Sequence, residues 1–303
     1  MGNELSQLTT EQRNENSMHL DEMSTREILQ TINDEDKKIA VAVEKVLPAV
    51  EEAVEHVHEA FLKGGRLFLV GAGTSGRLAV LDASECMPTF MSPPELVQAV
   101  MAGGSNAFFE AAESNEDDES QGETELKRRR VTANDVVIGI AASGRTPFVA
   151  GALKYARGIG ATTVSLTCNR NSVISEHADC KIEVVVGPEI LTGSTRMKAG
   201  TAHKMVLNMI STTAMVKMGK VYENLMIDVH ASNHKLRERA KRILTDITGI
   251  SPDDAAEVLK KSHQQVKPAV VMIEAGVSYE DAVEEIRNHN GNVRKAIASA
   301  KGR

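Results

Sequence analysis

The sequence contains few aromatic residues, few cysteines and no excess of positive charge. Only 3% of its 303 residues are aromatic and none is tryptophan, so its core must be built mainly from aliphatic side chains, which favours α/β or helical packing. Its three cysteines lack metal-ligand spacing and cannot all pair, as is typical of reduced thiols in a cytoplasmic protein. The net charge of −7 disfavours nucleic acid as a partner, because phosphate binding requires a basic surface.

Membrane and metal signals are also missing. No apolar run approaches the roughly 20 residues of a membrane helix, and the polar N-terminus is unlike a secretory signal, so we expect a cytoplasmic protein without a membrane partner. His230 and His234 have the i, i+4 spacing of two metal ligands on a helix face, but a third ligand is missing. We therefore expect no bound metal. All four of the histidines His177, His203, His230 and His234 are expected to be ordinary surface or core residues.

The spacing of apolar residues changes along the chain. Helical spacing over residues 34–63 predicts one helix kinked at Pro48, and Ser24 to Glu27 has the form of a capping box that begins a helix. Five short apolar runs follow, mostly separated by helical stretches, at residues 66–70, 96–102, 135–141, 162–167 and 182–186. This alternation predicts a doubly wound, five-stranded parallel sheet of flavodoxin-like type, with helices on both faces.

The chain after residue 192 has a helical pattern. We expect a long helix over 197–218, another over 234–247, and amphipathic stretches over 255–261 and 282–287 that follow two Gly-x-Ser starts. The expected organisation is an N-terminal tail with helices (1–56), an α/β domain (57–225) and a C-terminal helical region (226–303).

Residues 69–80, LVGAGTSGRLAV, contain the G-x-G-x-x-G pattern of dinucleotide-binding loops. That interpretation also requires an acidic residue about 20 positions later, at the end of the next strand, to bind the ribose. The next predicted strand ends at Ala102 and is followed by Gly103 and Gly104, without an acid, whereas Glu95 lies at its beginning. The pattern therefore fails as a dinucleotide site.

Two loops have instead the composition of a phosphate site. Each follows a predicted strand and combines glycine with hydroxyl side chains, and helices starting near Gly76 and at Pro147 direct free N–H groups towards an anion. Either loop alone could be a tight turn that caps a helix. Two such loops at equivalent strand ends of one sheet instead favour binding of a shared phosphomonoester. The predicted binding residues are Thr74, Ser75, Gly76, Ser143, Gly144 and Thr146.

A third segment, residues 187–204, opens the long C-terminal helix with an N-cap at Ser194 or Thr195. Its cations Arg196, Lys198 and Lys204 either contact substrate or brace the helix.

These segments together resemble a known family. The GTSGR and SGRT loops and the strand order resemble the sugar isomerase (SIS) domain, which binds phosphosugars. Residues 187–204 resemble the signature shared by the N-acetylmuramic acid 6-phosphate etherases and the vertebrate glucokinase regulatory protein. The runs LDASECMPTF (81–90) and AAESNEDD (111–118) favour the etherases, with Met87 departing from an expected proline. The tail around Gly291 resembles a ubiquitin-associated bundle, for which packing near a dimer interface is expected.

The resemblance implies an activity. Family members cleave the lactyl ether of N-acetylmuramic acid 6-phosphate in the cytoplasm, without a cofactor and as homodimers, during cell-wall recycling. The etherase motifs place the general acid on Glu85 and the base on Glu116, which would eliminate lactate before water adds. The apolar residues around Glu85 favour a raised pKa, although a surface glutamate is the alternative. Glu116 lies in an acidic run in which Glu113 is the other candidate base.

Two further functions are compatible with the same loops. A non-catalytic sugar-phosphate sensor would keep the phosphate loops and need no acid or base. A sugar-phosphate isomerase would also remove a proton beside a carbonyl, but would release nothing.

Overall fold

The N-terminal part of the chain forms two helices. The computed structural model describes residues 8–109, 113–229 and 234–302. Helix α1 (Thr25–Glu44) begins with the predicted capping box, in which Ser24 accepts from the Glu27 N–H and Glu27 accepts from the Ser24 N–H. Helix α2 (Leu47–Leu62) carries Pro48 in its first turn. The prediction of one kinked helix is wrong, because a separate helix begins at Leu47 with Pro48 in its first turn.

The centre of the fold is the predicted parallel sheet. Its strands are β1 (Leu67–Gly71), β2 (Val97–Met101), β3 (Val136–Ala141), β4 (Thr162–Thr167) and β5 (Cys180–Glu183). They pair in the order β2-β1-β3-β4-β5, and every pairing is parallel. The strand order reverses between β1 and β3, and doubly wound sheets bind ligands at that position. The fold class is confirmed, with β5 beginning two residues earlier than predicted.

Helices cover the sheet and enclose an aliphatic core. They are α3 (Gly73–Phe90), the short α4 (Glu113–Glu116), α5 (Glu119–Arg128), α6 (Pro147–Gly158) and α7 (Lys198–Lys217). Phe68 and Phe148 are the aromatic members of a buried cluster that otherwise consists of aliphatic side chains such as Leu126 and Leu153.

Internal contacts divide the chain into two units, Met1–Ser84 with Pro94–Ser211, and Glu85–Pro93 with Thr212–Arg303. The second unit has its own apolar core, which includes Leu244, Leu259 and Val270. It contains a hairpin of β6 (Val221–Tyr222) and β7 (Leu225–Met226) and the helices α8 (His234–Thr248), α9 (Pro252–Lys261), α10 (Val266–Ala275), α11 (Tyr279–Asn288) and α12 (Val293–Lys301). Across the described ranges, no helix is both long and apolar enough to cross a membrane.

Two glycines bring α5 and α6 into backbone contact. A Cβ on Gly122 would lie 1.9 Å from the carbonyl oxygen of Phe148, and a Cβ on Gly151 would lie 2.0 Å from that of Glu119. Larger residues fit at neither position unless a helix moves. Because α5 follows Glu116 and α6 follows Thr146, this packing sets the distance between two segments of the candidate site.

Replacing Gly122 with alanine is expected to lower the free energy of unfolding by about 1–3 kcal/mol, because the added methyl group overlaps backbone atoms. Gly158 on α6 is the matched control, since nothing lies within 4 Å of its Cβ position. Gly158→Ala is expected to be neutral or to stabilise by up to about 1 kcal/mol. Urea unfolding measures both changes, and a parental midpoint for Gly122→Ala would contradict the close packing.

Candidate functional site

The loop after β1 leads directly into α3. The helix begins at Gly73, three residues before the predicted start, and Gly73 has a φ of 51°. The first helical bond is donated by the Gly76 N–H to the Ala72 carbonyl, at 3.0 Å. The N–H groups of Gly73, Thr74 and Ser75 precede that bond and lie in the first turn, where a helix has no acceptors for them.

Gly76 lies in the first turn of α3. Its N–H is already bonded, so it is not one of the free donors. A Cβ at this position would lie 2.8 Å from the Gly71 carbonyl oxygen and 2.8 Å from Met101 Cγ. Gly76 therefore allows α3 to pack tightly against β1 and β2, while Thr74 and Ser75 provide the hydroxyl groups.

The loop after β3 has a similar construction. Gly144 has a φ of 71°, and a Cβ there would lie 2.2 Å from Ser172 Cβ. Thr146 is the N-cap residue of α6, but its side chain makes no capping bond, and Pro147 is in the first turn as predicted. Ser143 Oγ accepts the Arg145 N–H at 3.3 Å. The capped-turn alternative thus does not explain the Thr146 hydroxyl, and Thr146, like Ser143, is a half-buried residue.

Glu116 lies beside the first loop. It is the last residue of α4 and is half-buried, and a Cβ built on Gly73 would lie 3.1 Å from its Oε1 atom. The neighbouring acids have other positions: Asp117 is exposed, Asp118 caps α5, and Glu119 pairs with Lys154. The Glu113 side chain lies outside the described part of the structure. The acidic run is therefore not a uniform solvated face.

Glu85 is exposed on α3, ten residues after Ser75. The helix continues beyond Glu85 to Phe90, with Pro88 inside it. Of its apolar neighbours, Cys86 is buried, whereas Met87 is 51% exposed. The single chain thus does not provide the apolar surroundings that the sequence suggested for this carboxyl.

Lys198 braces the start of α7. Its side chain is buried, and its Nζ atom donates to Glu35 Oε2 at 2.7 Å and to the Pro188 carbonyl at 3.0 Å. Burial acts to raise the pKa of Glu35, but hydrogen bonds from Lys198, Lys38 and Asn16 outweigh it and lower that pKa to about 2. Of the two roles considered for the cations of this segment, Lys198 therefore has that of bracing the helix. Arg196 and Lys204 are exposed.

The N-cap predicted at Ser194 or Thr195 is replaced by a more distant carboxylate. Glu189 is fully buried and accepts the N–H groups of Lys198 and Ala199, each at 2.9 Å. A carboxylate at a helix N-terminus satisfies donors that lack intrahelical partners and complements the helix dipole. Lys198 and Glu189 together fix α7, and α7 carries His203 towards the first loop.

His203 is a core histidine, as expected, but it contacts Ser75, one of the predicted phosphate-binding residues. It is 1% exposed, and its Nδ1 atom lies 3.4 Å from Ser75 Oγ while its Nε2 atom lies 3.5 Å from Cys168 Sγ. Burial lowers the pKa of His203 to about 4, so the imidazole is neutral near pH 7. Burial also raises the pKa of the Cys168 thiol, which therefore keeps its proton. His230, also considered above, lies outside the described residues.

Models of known families match three parts of the chain. Residues 49–157 match the glucokinase regulatory protein N-terminal SIS domain, 119–213 the SIS domain, and 223–276 the C-terminal lid domain of glucokinase regulatory protein. A phosphoheptose isomerase structure from Francisella tularensis has a TM-score of 0.53 at 16% identity, covering 64% of this chain and all 100% of that chain. One from Neisseria gonorrhoeae has a TM-score of 0.50 at 18% identity, covering 63% and 99%. At these identities the structures define the fold alone, which is that of an SIS-domain protein.

Full-length relatives define the family more narrowly. An N-acetylmuramic acid 6-phosphate etherase from Exiguobacterium sp. is 54% identical over 97% of this chain and 100% of its own length. Proteins of the same name from Geobacillus thermodenitrificans and Bacillus subtilis are 55% and 54% identical over 97% of this chain, and over 99% and 96% of their own. The chain belongs to the N-acetylmuramic acid 6-phosphate etherase family.

Burial of neutral His203 predicts a pH dependence of stability. In the unfolded chain an imidazole has a pKa of about 6.5, so at pH 5 the unfolded state binds a proton that the folded state excludes. The free energy of unfolding should therefore fall by about 2 kcal/mol from pH 7 to pH 5 because of this residue.

Urea unfolding at several pH values, with and without His203→Gln, measures that contribution. The variant should lose this part of the pH dependence, whereas His56→Gln, at a partly exposed position on α2, should keep it. Parallel pH curves for the parent and His203→Gln would show that the folded imidazole is protonated like an unfolded one.

Proposed function

We propose that this chain cleaves the D-lactyl ether of N-acetylmuramic acid 6-phosphate, giving N-acetylglucosamine 6-phosphate and D-lactate. The enzyme would be a carbon–oxygen lyase of cell-wall amino-sugar recycling. The full-length identity of 54–55% to proteins with that name carries the proposal. The position of Glu116 beside the loop after β1 supports it, because this chemistry requires a base close to the group that anchors the phosphate.

The phosphate would be bound where the loops after β1 and β3 meet. The first turn of α3 offers three N–H groups and the hydroxyls of Thr74 and Ser75, and the second loop offers Ser143, Gly144 and Thr146. A helix N-terminus stabilises an anion through its free donors and its dipole. Gly76 would take part only by allowing the close packing that places this turn.

The reaction proceeds by elimination and then addition of water. An ether resists direct hydrolysis because an alkoxide is a poor leaving group. Opening of the sugar ring gives an aldehyde that acidifies the proton on carbon 2, and Glu116 would remove this proton. Lactate then leaves carbon 3 with a proton supplied by Glu85, and water adds across the carbon–carbon double bond. The chain uses one water molecule for each ether cleaved.

We also propose a homodimer in the cytoplasm. Glu85 is exposed in the single chain, as is Met87 at 51% and Met91 at 48%. A general acid must hold its proton near neutral pH, and desolvation is the usual way to raise a carboxyl pKa. A second copy that covers this face would provide the desolvation that one chain lacks.

Incubation with N-acetylmuramic acid 6-phosphate in deuterated water tests this function. We expect D-lactate and N-acetylglucosamine 6-phosphate in equal amounts, with solvent deuterium on carbon 2 of the sugar product. Failure to release lactate would overturn the etherase proposal: binding without reaction would indicate a sensor, and exchange at carbon 2 alone an isomerase. Lactate without deuterium would overturn the elimination route.

Two variants separate the roles of the carboxyl groups. Glu116→Gln should lose both carbon 2 exchange and lactate release, by about 100-fold or more, because the amide cannot accept the proton. Glu85→Gln should retain exchange but release lactate slowly. Asp117→Asn is the matched control, an exposed acid next to Glu116 that should retain parental rates. Parental exchange by Glu116→Gln would reassign the base, with Glu113 as the next candidate.

A further inference from the structure

The side chains of Cys168, His203 and Ser75 form a short hydrogen-bonded chain that ends at the loop after β1. Cys168 Sγ lies 3.5 Å from His203 Nε2, and His203 Nδ1 lies 3.4 Å from Ser75 Oγ. All three residues are buried, with exposures of 1%, 1% and 8%. No part of the proposed reaction uses His203 or Cys168, so this arrangement requires a separate explanation.

The number of hydrogen atoms restricts how these groups can bond. A thiol, a neutral imidazole and a hydroxyl each have one hydrogen that can be donated in a hydrogen bond. Two contacts join the three groups. In one arrangement the Cys168 S–H donates to Nε2 and the Nδ1–H donates to Ser75 Oγ, so the Ser75 O–H remains for another acceptor. In the opposite arrangement Ser75 donates to Nδ1 and the Nε2–H donates to sulfur, so the Ser75 hydrogen is consumed inside the protein.

A bound phosphate distinguishes the two arrangements. The oxygens of a phosphate dianion only accept hydrogen bonds, and a bond from a hydroxyl to a charged oxygen is about twice as strong as a neutral one. Only the first arrangement lets Ser75 donate to the phosphate while its own oxygen accepts from the imidazole. The opposite arrangement would direct an oxygen lone pair of Ser75 towards the anion.

We propose that His203 is a positioning residue which, when a phosphate monoester is bound, takes the Nδ1–H tautomer and makes Ser75 a hydrogen-bond donor to the phosphate. Cys168 completes the chain by donating its S–H to Nε2. The inference rests on the proposed role of Ser75 in phosphate binding. It gives the neutral imidazole a function in ligand recognition that adds no charge to the site.

The tautomer can be observed directly in the unmodified protein. The protein is labelled with ¹⁵N-histidine, and the His203 ring nitrogens are assigned by comparison with His203→Gln and observed by NMR with saturating N-acetylglucosamine 6-phosphate. We expect a protonated, pyrrole-like Nδ1 and an unprotonated, pyridine-like Nε2. Binding with a protonated Nε2 would overturn the inference and leave the proposed function intact. Absence of binding, measured by calorimetry, would overturn both.

A double-mutant cycle tests whether His203 acts through Ser75. His203→Leu should weaken binding of N-acetylglucosamine 6-phosphate about tenfold, since Ser75 Oγ then loses the N–H group that orients its hydroxyl, and its hydrogen bond to the charged phosphate is no longer preorganised. In the Ser75→Ala background the same substitution should change the affinity less than twofold. An equal loss in both backgrounds would show a general structural effect and contradict the proposal.

Two other variants complete the comparison. His203→Gln retains a side-chain N–H that can donate to Ser75, so it should recover most of the affinity lost in His203→Leu. His56→Leu, on α2, is the histidine control and should bind like the parent. If the glutamine variant binds as weakly as the leucine variant, donation by the residue at position 203 is not what orients Ser75.

Discussion

The candidate site depends on the reversal of strand order between β1 and β3. These neighbouring strands are parallel, so the loops that follow them leave the same edge of the sheet, and their connections turn away from each other. The space between the two connections is where a doubly wound sheet receives its ligand. Both hydroxyl-rich loops occupy that edge, and α3 starts there with its free N–H groups. The proposed phosphosugar site therefore lies at a position where this topology favours ligand binding.

Buried polar contacts hold the surrounding elements in position. Lys198 and Glu35 form an ion pair between α7 and α1, and Glu189 caps α7. Separating the two partners of such a pair would leave a buried charge without compensation, which is strongly destabilising. The ion pair therefore keeps α7 and α1 in a fixed relative position. A fixed α7 holds His203 against Ser75. The same helix thus links the N-terminal helix α1 to the loop after β1 through the side chains of Lys198 and His203.

Local patterns in the sequence predicted the fold well and indicated part of the candidate site. Apolar runs located all five strands, and hydroxyl groups next to glycine indicated both loops. The break between α1 and α2 was missed because Pro48 is compatible with a kink and with a new first turn. The hairpin of β6 and β7 was missed because its strands have only two residues each. For Glu116, composition indicated only an acidic surface, and the family motif alone singled it out.

Contacts between residues that are far apart in the chain could not be predicted from the sequence. His203 is 128 residues from Ser75, and Lys198 is 163 residues from Glu35. No periodicity relates such pairs, and a buried histidine has the same local sequence whether it fills space or orients a hydroxyl. The exposure of Glu85 is a similar case, since apolar neighbours along a helix do not reveal what covers them.

The most direct test of the central claim is a crystal structure of the protein with bound N-acetylglucosamine 6-phosphate. The account predicts the phosphate within hydrogen-bond distance of the first turn of α3 and of Ser75 Oγ, with the second loop on its other side and carbon 2 of the sugar facing Glu116. A phosphate bound away from the carboxyl ends of β1 and β3, or a sugar with carbon 2 directed away from Glu116, would contradict it.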